Sequence, residues 1–524
     1  FNLKKTGEYA AIGAGFAGLP AVAFGTNGSV AWGATSNWAD VTDLYVVKPI
    51  GNDSDYYEYM EEKVPFRKRV ETFKIRQDDG SFTEETFTVR ETRHGVILND
   101  FIDRIREGFP LLALKRNRIL GKPLSALRRV YHSGGVGEAK KAFHDFFAFT
   151  GHWVLADKNG EIGYAGSVRL PRRDYHLGTL PVPGWLDKYE WKGFVGTEEL
   201  PEELPFISSS ANGYVGTANN QVIDPEAVPY PYNIEGSTPF RYQRIMEVLE
   251  RGRQGKNVWE IMSDLQMDGR FTGWDLLRPR LLVVLAPLKE DTDPLISKAA
   301  EELIEWSGDN LGHLVGPTIY NIFQIQAFKA AMEDEVSPRT FHFYLSFYNL
   351  EPFVYDLLND PNNPAWDDLR TLDVESYEDM LRLAFREAVD ICVRQYGKDI
   401  QKWTWDRGAT FILEHPFGTE KALAGFLNRG PLLLHGATDT LFAHQIQRSE
   451  IDHFDIKGGP VLRVVVDFGN WEHSFMSLPG GQSGRPISNH YDDILPLYLK
   501  GKGIPLVADF SRLETDAKGR IMLY

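Results

Sequence analysis

An Asn-Gly pair near the start of the chain constrains the fold most strongly. Asn27 and Gly28 separate residues 21–26 from residues 29–35, two runs that consist mostly of small and apolar residues. An Asn-Gly pair between strand-like runs is a strong hairpin signal, because both residues tolerate positive φ. The sequence therefore predicts two antiparallel strands within the first 35 residues.

Residues 1–240 continue this β-rich character. Apolar and polar residues alternate in residues 64–75 and 85–92, around the turn signal at 78–80. Residues 153–165 place Lys-Asn-Gly between two short apolar runs. Alternation with turn residues at the ends is typical of antiparallel sheet. We predict that residues 1–240 form the β-rich part of the core.

Residues 241–457 are predicted to be mainly helical, and residues 458–524 to return to the sheet core. Ile245, Val248 and Leu249 recur at helical spacing, and Ser376 precedes a further apolar stripe as a helix cap. The apolar run 460–468 is typical of a strand covered on both faces. This order predicts an α+β fold.

The charge and the cysteine content exclude several classes of partner and site. The net charge is −16, which argues against nucleic acid or an anionic membrane surface as the main partner. The longest apolar run, 281–288, is too short to span a bilayer. Cys392 is the only cysteine, so an intrachain disulfide and a metal site built from several cysteines are excluded. Its helical pattern predicts a small buried apolar side chain.

A series of motifs occurs in the order found in penicillin acylases, which are N-terminal nucleophile hydrolases. The motifs lie at 25–35, 92–96, 156–164, 180–185, 213–220, 241–245, 480–484 and 490–492. The chain resembles the catalytic β-chain of that family. The resemblance implies a four-layer αββα fold, with two stacked, mainly antiparallel sheets and a helical insertion.

The resemblance also implies an amide hydrolase. In that family a precursor cleaves itself into an α-chain and a β-chain, and the new N-terminal Ser attacks an amide carbonyl with its own α-amine as base. Phe1 cannot serve as this nucleophile, and Thr6 and Ser29 are internal. We expect the nucleophile upstream of Phe1, on a pair of strands that together with their turns amount to about 20–40 residues. The alternative is a catalytically inactive binding protein with the acylase fold.

Three residues match the family's catalytic machinery. Asn219 matches the asparagine whose amide donates to the oxyanion, with Asn220 as the alternative one position later. The backbone N–H of Ser36 matches the second donor. Arg244 matches the arginine that orients the asparagine, and helical spacing places Arg241 on the same face. Without the resemblance, the asparagines are ordinary turn residues and Arg244 is a solvated helix residue.

Phe24 matches a residue that lines the family's acyl pocket, although an aromatic residue in a hairpin is as often a packing residue. The implied substrate is a small N-acyl compound such as a β-lactam or an N-acyl homoserine lactone. The implied partner is a separate α-chain from the same precursor. By analogy with the family, we expect a periplasmic or secreted protein.

Asp40, Thr42 and Asp43 match a structural calcium site of the family. Two carboxylates and the carbonyl between them supply three oxygens, and calcium takes six to eight. Asp224 or Glu226 and a carbonyl near Gly178 are candidates for more distant ligands. A solvated turn or a strand-end cap is the alternative interpretation. No organic cofactor is expected.

A Ser-His-Asp hydrolase is the rival enzyme class. Ser483 lies in a Gly-Gln-Ser-Gly stretch, with His490 and Asp492 nearby. Pro486 disfavours the helix that a nucleophile elbow requires directly after its serine. We therefore interpret this stretch as a structural loop.

Overall fold

The computed structural model describes most of the chain. It covers residues 2–5, 9–19, 21–51, 55–106, 108–117, 123–195, 206–208, 212–224, 232, 237–252, 257–346, 350–447 and 454–507. Thr6 and Glu226 lie outside these residues.

In the described residues the strands are β1 (Asn2–Lys5), β2 (Tyr9–Ala14), β3 (Phe24–Thr26), β4 (Val30–Ser36), β5 (Thr42–Val47), β6 (Tyr56–Tyr59), β7 (Glu62–Pro65), β8 (Arg67–Arg76), β9 (Phe82–Glu91), β10 (Val96–Ile97), β11 (Leu111–Arg116), β12 (Gly151–Asp157), β13 (Ile162–Ser167), β14 (Leu170–Pro171), β15 (Val182–Pro183), β16 (Phe194–Val195), β17 (Phe206–Ser208), β18 (Ala409–Leu413), β19 (Arg429–Leu433), β20 (Gln445–Gln447), β21 (Phe454–Gly458), β22 (Arg463–Val465), β23 (Phe475–Ser477) and β24 (Ile504–Pro505).

The α-helices of the same residues are α1 (Asp103–Arg106), α2 (Pro123–His132), α3 (Val136–His144), α4 (Phe240–Gly252), α5 (Val258–Leu265), α6 (Gly273–Leu285), α7 (Pro294–Glu305), α8 (Gly316–Met332), α9 (Pro338–Ser346), α10 (Glu351–Asn359), α11 (Tyr377–Tyr396), α12 (Trp405–Gly408), α13 (Lys421–Leu427) and α14 (Leu495–Tyr498). None of the helices in these ranges combines the length and the apolar content needed to cross a membrane.

Two large sheets dominate the first 210 residues. One has the strand order β1-β2-β3-β4-β12-β13-β17, and the other has the order β15-β5-β11-β10-β9-β8. Neighbouring strands run antiparallel, except that β15 runs parallel to β5. The described residues of this region are thus rich in mainly antiparallel sheet.

The predicted hairpin forms from β3 and β4, with its turn centred one residue later than Asn-Gly. Gly28 has a φ of +84°, and Asn27 N–H donates to Val30 O (3.1 Å), so Gly28 and Ser29 are the central residues. The Asn27 side chain accepts from Val30 N–H (2.8 Å) and donates to Ser133 O (2.8 Å). Asn27 therefore also attaches the turn to the end of α2.

The seven-stranded sheet packs against α2 and α3. The fully buried ring of Trp153 on β12 stacks on Phe143 of α3, with their ring centroids 3.9 Å apart. Tyr131 of α2 donates to Val22 O (3.0 Å). This core fixes β12, and β12 pairs along the whole length of β4.

Helices dominate the chain from α4 to α11, as predicted. Ser376 caps α11 by accepting from Asp379 N–H (3.2 Å), and Cys392 on this helix is buried. One expectation is incomplete, because residues 409–458 contribute a four-stranded sheet of order β19-β18-β21-β20. The run that forms β18 is five residues long, which is a typical length for a strand and too short for most helices.

The C-terminal strand is shorter than predicted. Only Arg463–Val465 of the run 460–468 is a strand, and it pairs with β23 in a three-stranded sheet of its own. This small sheet still reaches the N-terminal core through side chains, because Met476 and Leu506 pack with Ile12 of β2.

Candidate functional site

The end of β4 presents the backbone of Ser36 to an open side of the sheet. Asn37 N–H donates to Thr150 O (3.1 Å), so the adjacent pair Ser36 and Gly151 is the type that exchanges no ladder hydrogen bonds. The N–H and C=O of Ser36 therefore point away from β12. Ser36 is exposed, which leaves its N–H accessible to a ligand.

The loop 212–224 brings Asn219 to this backbone. Asn219 Nδ2 donates to Ser36 O at 2.8 Å, and the hydroxyls of Thr35 and Thr217 lie 3.2 Å apart. Asn219 has a φ of 62°, a left-handed conformation that Asn adopts more readily than most residues. The structure thus brings together Asn219 and Ser36, the two residues expected to supply the oxyanion donors. Among the described residues no partner accepts the second hydrogen of Nδ2.

Asn220 does not share this position. Its side chain accepts from Ala218 N–H (3.1 Å) and donates to Gln221 O (3.1 Å), and the residue is buried. These contacts hold the loop in shape, so the geometry favours Asn219 over Asn220 as a donor to a ligand.

The arginine that contacts Asn219 is Arg241, and our assignment of this contact to Arg244 is wrong. Arg241 Nη2 donates to Asn219 Oδ1 at 3.1 Å. Arg244 lies one helical turn later and binds Asp268 (2.8 Å) and Glu247 (3.0 Å). Although burial alone would lower it, these two carboxylates raise the pKa of Arg244.

The position of Arg241 in α4 explains this correction. It is the second residue of the helix, next to the turn in which Ser237 N–H donates to Asn219 O (3.2 Å). Shared helix face did not distinguish the two arginines. Proximity to the helix start is the signal that could have done so.

Phe24 lies at the start of β3, partly buried among aromatic rings. Its ring meets Phe16 edge-to-face at 5.8 Å and Trp153 at 6.1 Å. Phe16 is 56% exposed, so this aromatic group extends from the core to the surface. The arrangement is compatible with a packing residue and with one wall of a pocket.

The acid pair, with Asp40 between β4 and β5 and Asp43 on β5, is contacted by an arginine that sequence reasoning missed. Arg173 Nε donates to Asp43 Oδ2 (2.9 Å), and Arg173 Nη2 lies 3.2 Å from Asp40 Oδ2. Trp191 Nε1 also donates to Asp43. The Arg173 side chain is only 1% exposed. Two consecutive arginines directly after the buried strand β14 were the available signal.

The two carboxylates also converge on Gly178, as the resemblance suggested. A Cβ added at Gly178 would overlap Asp40 Oδ2 and lie 2.8 Å from Asp43 Oδ1. Within the described residues Asp43 Oδ1 is buried and accepts no hydrogen bond. No cluster of three or more His, Cys, Asp or Glu that could hold a metal occurs in that part of the chain. The pair therefore suits a cation in part, with Arg173 as a competing positive charge.

One groove borders both sites. It is lined by Ser36 and Thr150, by the apolar side chains of Leu44, Leu114 and Leu180, and by Asp40 and Gly178. Ser36 and Asp40, one residue from each site, thus line the same surface depression.

The contacts around Ser483 do not form a Ser-His-Asp relay. Ser483 Oγ accepts from Arg485 N–H (3.1 Å), while His490 Nδ1 lies 2.7 Å from Asp493. Asp492 is bound by Arg429. This stretch is a structural loop, in agreement with our interpretation.

Comparison with curated proteins gives acylases of similar sequence. An acyl-homoserine lactone acylase of Pseudomonas aeruginosa is 26% identical over 95% of this chain and 61% of its own length. The penicillin acylase 2 proenzyme of Pseudomonas sp. is 25% identical over 94% of this chain and 61% of its own. Penicillin G acylase of Escherichia coli is 24% identical over 77% of this chain and 49% of its own. The chain thus spans about 61% of the length of the first two relatives.

Comparison with solved structures shows the fold. The thermostable penicillin G acylase of Alcaligenes faecalis matches with a TM-score of 0.69 at 20% identity. The match covers 100% of this chain and 93% of that one. The family model described as penicillin amidase matches residues 2–515. Because that match covers nearly the whole sequence, the chain belongs to the penicillin amidase family.

Proposed function

We propose that this chain is the catalytic part of an acylase that hydrolyses the amide of a small N-acyl substrate. The observation that carries the proposal is the contact of Asn219 with Ser36, since it sets a side-chain amide and a backbone N–H on the same side of β4. Two such donors can bind the oxygen that becomes negative when an amide carbonyl is attacked.

Each group has a chemical task in this mechanism. An N-terminal Ser, expected upstream of Phe1, attacks the carbonyl carbon while its α-amine accepts the hydroxyl proton. Ser36 N–H and Asn219 Nδ2 donate to the tetrahedral oxyanion. Arg241, by donating to Asn219 Oδ1, turns the amide so that Nδ2 faces the reacting oxygen. The protonated amine then gives its proton to the leaving nitrogen as the C–N bond breaks, which leaves the acyl group as an ester on the Ser. Water cleaves this ester, releases the acid and restores the Ser.

The named relatives indicate the substrate class. Acyl-homoserine lactone acylases and penicillin acylases are the relatives of this chain, and both names specify an acyl group on a small amine. We propose one of these two compound classes as substrate. Phe24, in its aromatic group, would form one wall of the acyl pocket.

The remaining features follow from the family. One relative is named a proenzyme, which supports self-cleavage of a precursor and a separate α-chain as partner. A four-layer αββα core with a helical insertion, and a periplasmic or secreted location, complete the proposal.

We also propose a structural calcium ion at the acid pair. Asp40, Asp43 and the Thr42 carbonyl would hold it, with more distant oxygens from Asp224, Glu226 or the backbone near Gly178. The buried Asp43 Oδ1 supports this assignment. Arg173 already neutralises one of the two carboxylate charges, so we expect modest affinity.

The complete precursor tests the proposed function. Mass spectrometry of the purified protein should find a mature chain that begins with Ser upstream of Phe1. The same protein should release the free amine from N-acyl homoserine lactones or penicillins. A mature terminus at Phe1 would contradict the proposed nucleophile. Binding of these compounds without hydrolysis would instead support the inactive binding protein.

A further inference from the structure

The environment of Arg241 extends the candidate site beyond the groups described so far. Arg241 Nε–H is shielded from solvent and donates to no partner within the described residues, while Nη2 donates to Asn219. A shielded guanidinium needs a nearby negative charge, because an uncompensated buried charge is costly. Asn219 is neutral and cannot supply this charge.

Asp439 reaches this region from a distant part of the chain. Thr238, three residues before Arg241, donates its hydroxyl to Asp439 Oδ1 at 2.5 Å, and Thr238 is itself buried. Asp439 and Glu351 also line one small cavity with Tyr320 and Asn321. Two carboxylates from the second half of the chain therefore lie beside the start of α4.

The loop that carries Asp439 is held firmly. Gly436 N–H donates to Asn310 O (2.7 Å), and Trp405 Nε1 donates to Gly436 O (2.8 Å). Thr440 is fully buried and accepts from Ala437 N–H (2.9 Å). These contacts fix Asp439 in place, as a residue that positions another must be.

The electrostatics agree with this arrangement. Burial lowers the pKa of Arg241, and the charges of Asp439 and Glu351 oppose that shift. Glu351 is the first residue of α10, where the helix N-terminus already stabilises a negative charge. Of the two carboxylates, Asp439 opposes the shift in the pKa of Arg241 more strongly.

We propose that Asp439 is a positioning residue that holds Arg241 on Asn219 and thereby orders the oxyanion donors. This inference rests on the proposed function of Asn219. Asp439 belongs to the second half of the chain. Through Thr238, Asp439 and Arg241, that half supports the chemistry at β4. Asp439 itself touches no reacting atom.

The test is a double-mutant cycle in the complete enzyme. Asp439→Asn keeps the shape and the contact with Thr238 but removes the charge. We expect kcat to fall about tenfold to a hundredfold with KM little changed, because the misplaced donor matters mainly in the transition state. In an Arg241→Met background the same change should have no further effect. Asp439→Glu should recover part of the lost rate.

Controls separate this role from a general loss of structure. Asp390→Asn, at an exposed position of α11, should leave kcat unchanged. Thr238→Val, which removes the hydroxyl donor and keeps the charge, should reproduce a smaller part of the loss. If Asp439→Asn does not fold, Thr238→Val in the same cycle decides the question.

Three results would overturn the proposal. Asp439→Asn could keep kcat within twofold, or its effect could add fully to that of Arg241→Met. A crystal structure of Asp439→Asn could also retain the Arg241–Asn219 distance of 3.1 Å. If instead Asn219→Ala keeps full activity, the proposed oxyanion role of Asn219 fails, and the crystal structure still decides whether Asp439 positions Arg241.

Discussion

The two sites use an arginine in opposite ways. At the oxyanion site, Arg241 donates to a neutral amide, and within the described residues that amide keeps one hydrogen without a partner. At the acid pair, Arg173 contacts the carboxylates directly and neutralises part of their charge. The comparison teaches that the partner of the arginine decides what a site offers. An amide partner yields a hydrogen-bond donor, whereas carboxylate partners leave only the oxygens that the guanidinium does not cover.

Removing Arg173 should break the acid pair with the largest effect. Arg173→Gln leaves Asp40 and Asp43 buried without their counter-charge, and we expect the free energy of unfolding to fall by about 3–5 kcal/mol. Urea denaturation without calcium measures this loss. Arg106→Gln, whose side chain is 57% exposed, is the control and should change stability by less than about 0.5 kcal/mol. A loss below about 1 kcal/mol for Arg173→Gln would show that the pair needs no internal cation.

Replacing the two arginines of α4 one at a time should have different effects on the oxyanion site. Arg241→Ala removes the contact with Asn219, and we expect kcat to fall about a hundredfold through misplacement of the amide. Arg244→Ala breaks an ion pair with Asp268 and should affect mainly stability. Steady-state kinetics and thermal unfolding of both variants separate these effects. Equal losses of kcat would contradict the role of Arg241, rather than Arg244, in holding Asn219.

A fall in pH should destabilise the oxyanion site and the acid pair unequally. Burial lowers the pKa of His152, which is paired with Thr35 across β4 and β12, to about 4. In the unfolded chain His152 is protonated near pH 6.5. The contribution of neutral, buried His152 to stability is therefore fully present above pH 6.5 and is lost as the pH falls toward 4. We expect a loss of about 2 kcal/mol from His152 at pH 5.

His176, near the acid pair, sharpens the comparison. Burial also lowers its pKa, but the charge of Asp43 opposes the shift. Urea denaturation of His152→Gln and His176→Gln at pH 7 and pH 5 tests the difference. The first substitution should flatten the pH dependence more than the second. The reverse order would show that the acid pair, rather than the strand end, controls acid stability.

Calcium should produce the smallest effect. An ion held by Asp40 and Asp43 at ten times its dissociation constant would add about 1.4 kcal/mol to the free energy of unfolding. Thermal unfolding with calcium and with a chelator measures this change, and Asp43→Asn should abolish it. A calcium shift that survives in Asp43→Asn would place the ion elsewhere, and no shift in the parent protein would refute the site.

Local sequence signals predicted the elements but not all of the contacts. The Asn27-Gly28 pair predicted β3 and β4, and Ser376 predicted the start of α11, because each signal acts within a few residues. The contact of Asn219 with Arg241, where Arg244 was expected, shows the limit of such local signals. Both residues share one helix face, and only the path of the preceding loop decides which of them reaches Asn219.

Long-range charge compensation was also beyond the sequence. Asp40 and Asp43 were identified as a pair, but the strand pairing of β14 with β16 brings Arg173 and Trp191 onto them. Asp439 lies 201 positions after its partner Thr238. Such contacts depend on the tertiary fold, which periodicity and turn residues do not specify.

The most direct test of the account is the turnover of Asn219→Ala in the complete, processed enzyme. Loss of one oxyanion donor should lower kcat by about 10²–10³ in a protein that still folds, with a slightly lower unfolding midpoint because Ala adopts the φ of 62° less readily than Asn. Asn362→Ala, at an exposed loop position, should retain full activity. Near-normal turnover of Asn219→Ala would contradict the claim that Asn219 and Ser36 stabilise the oxyanion.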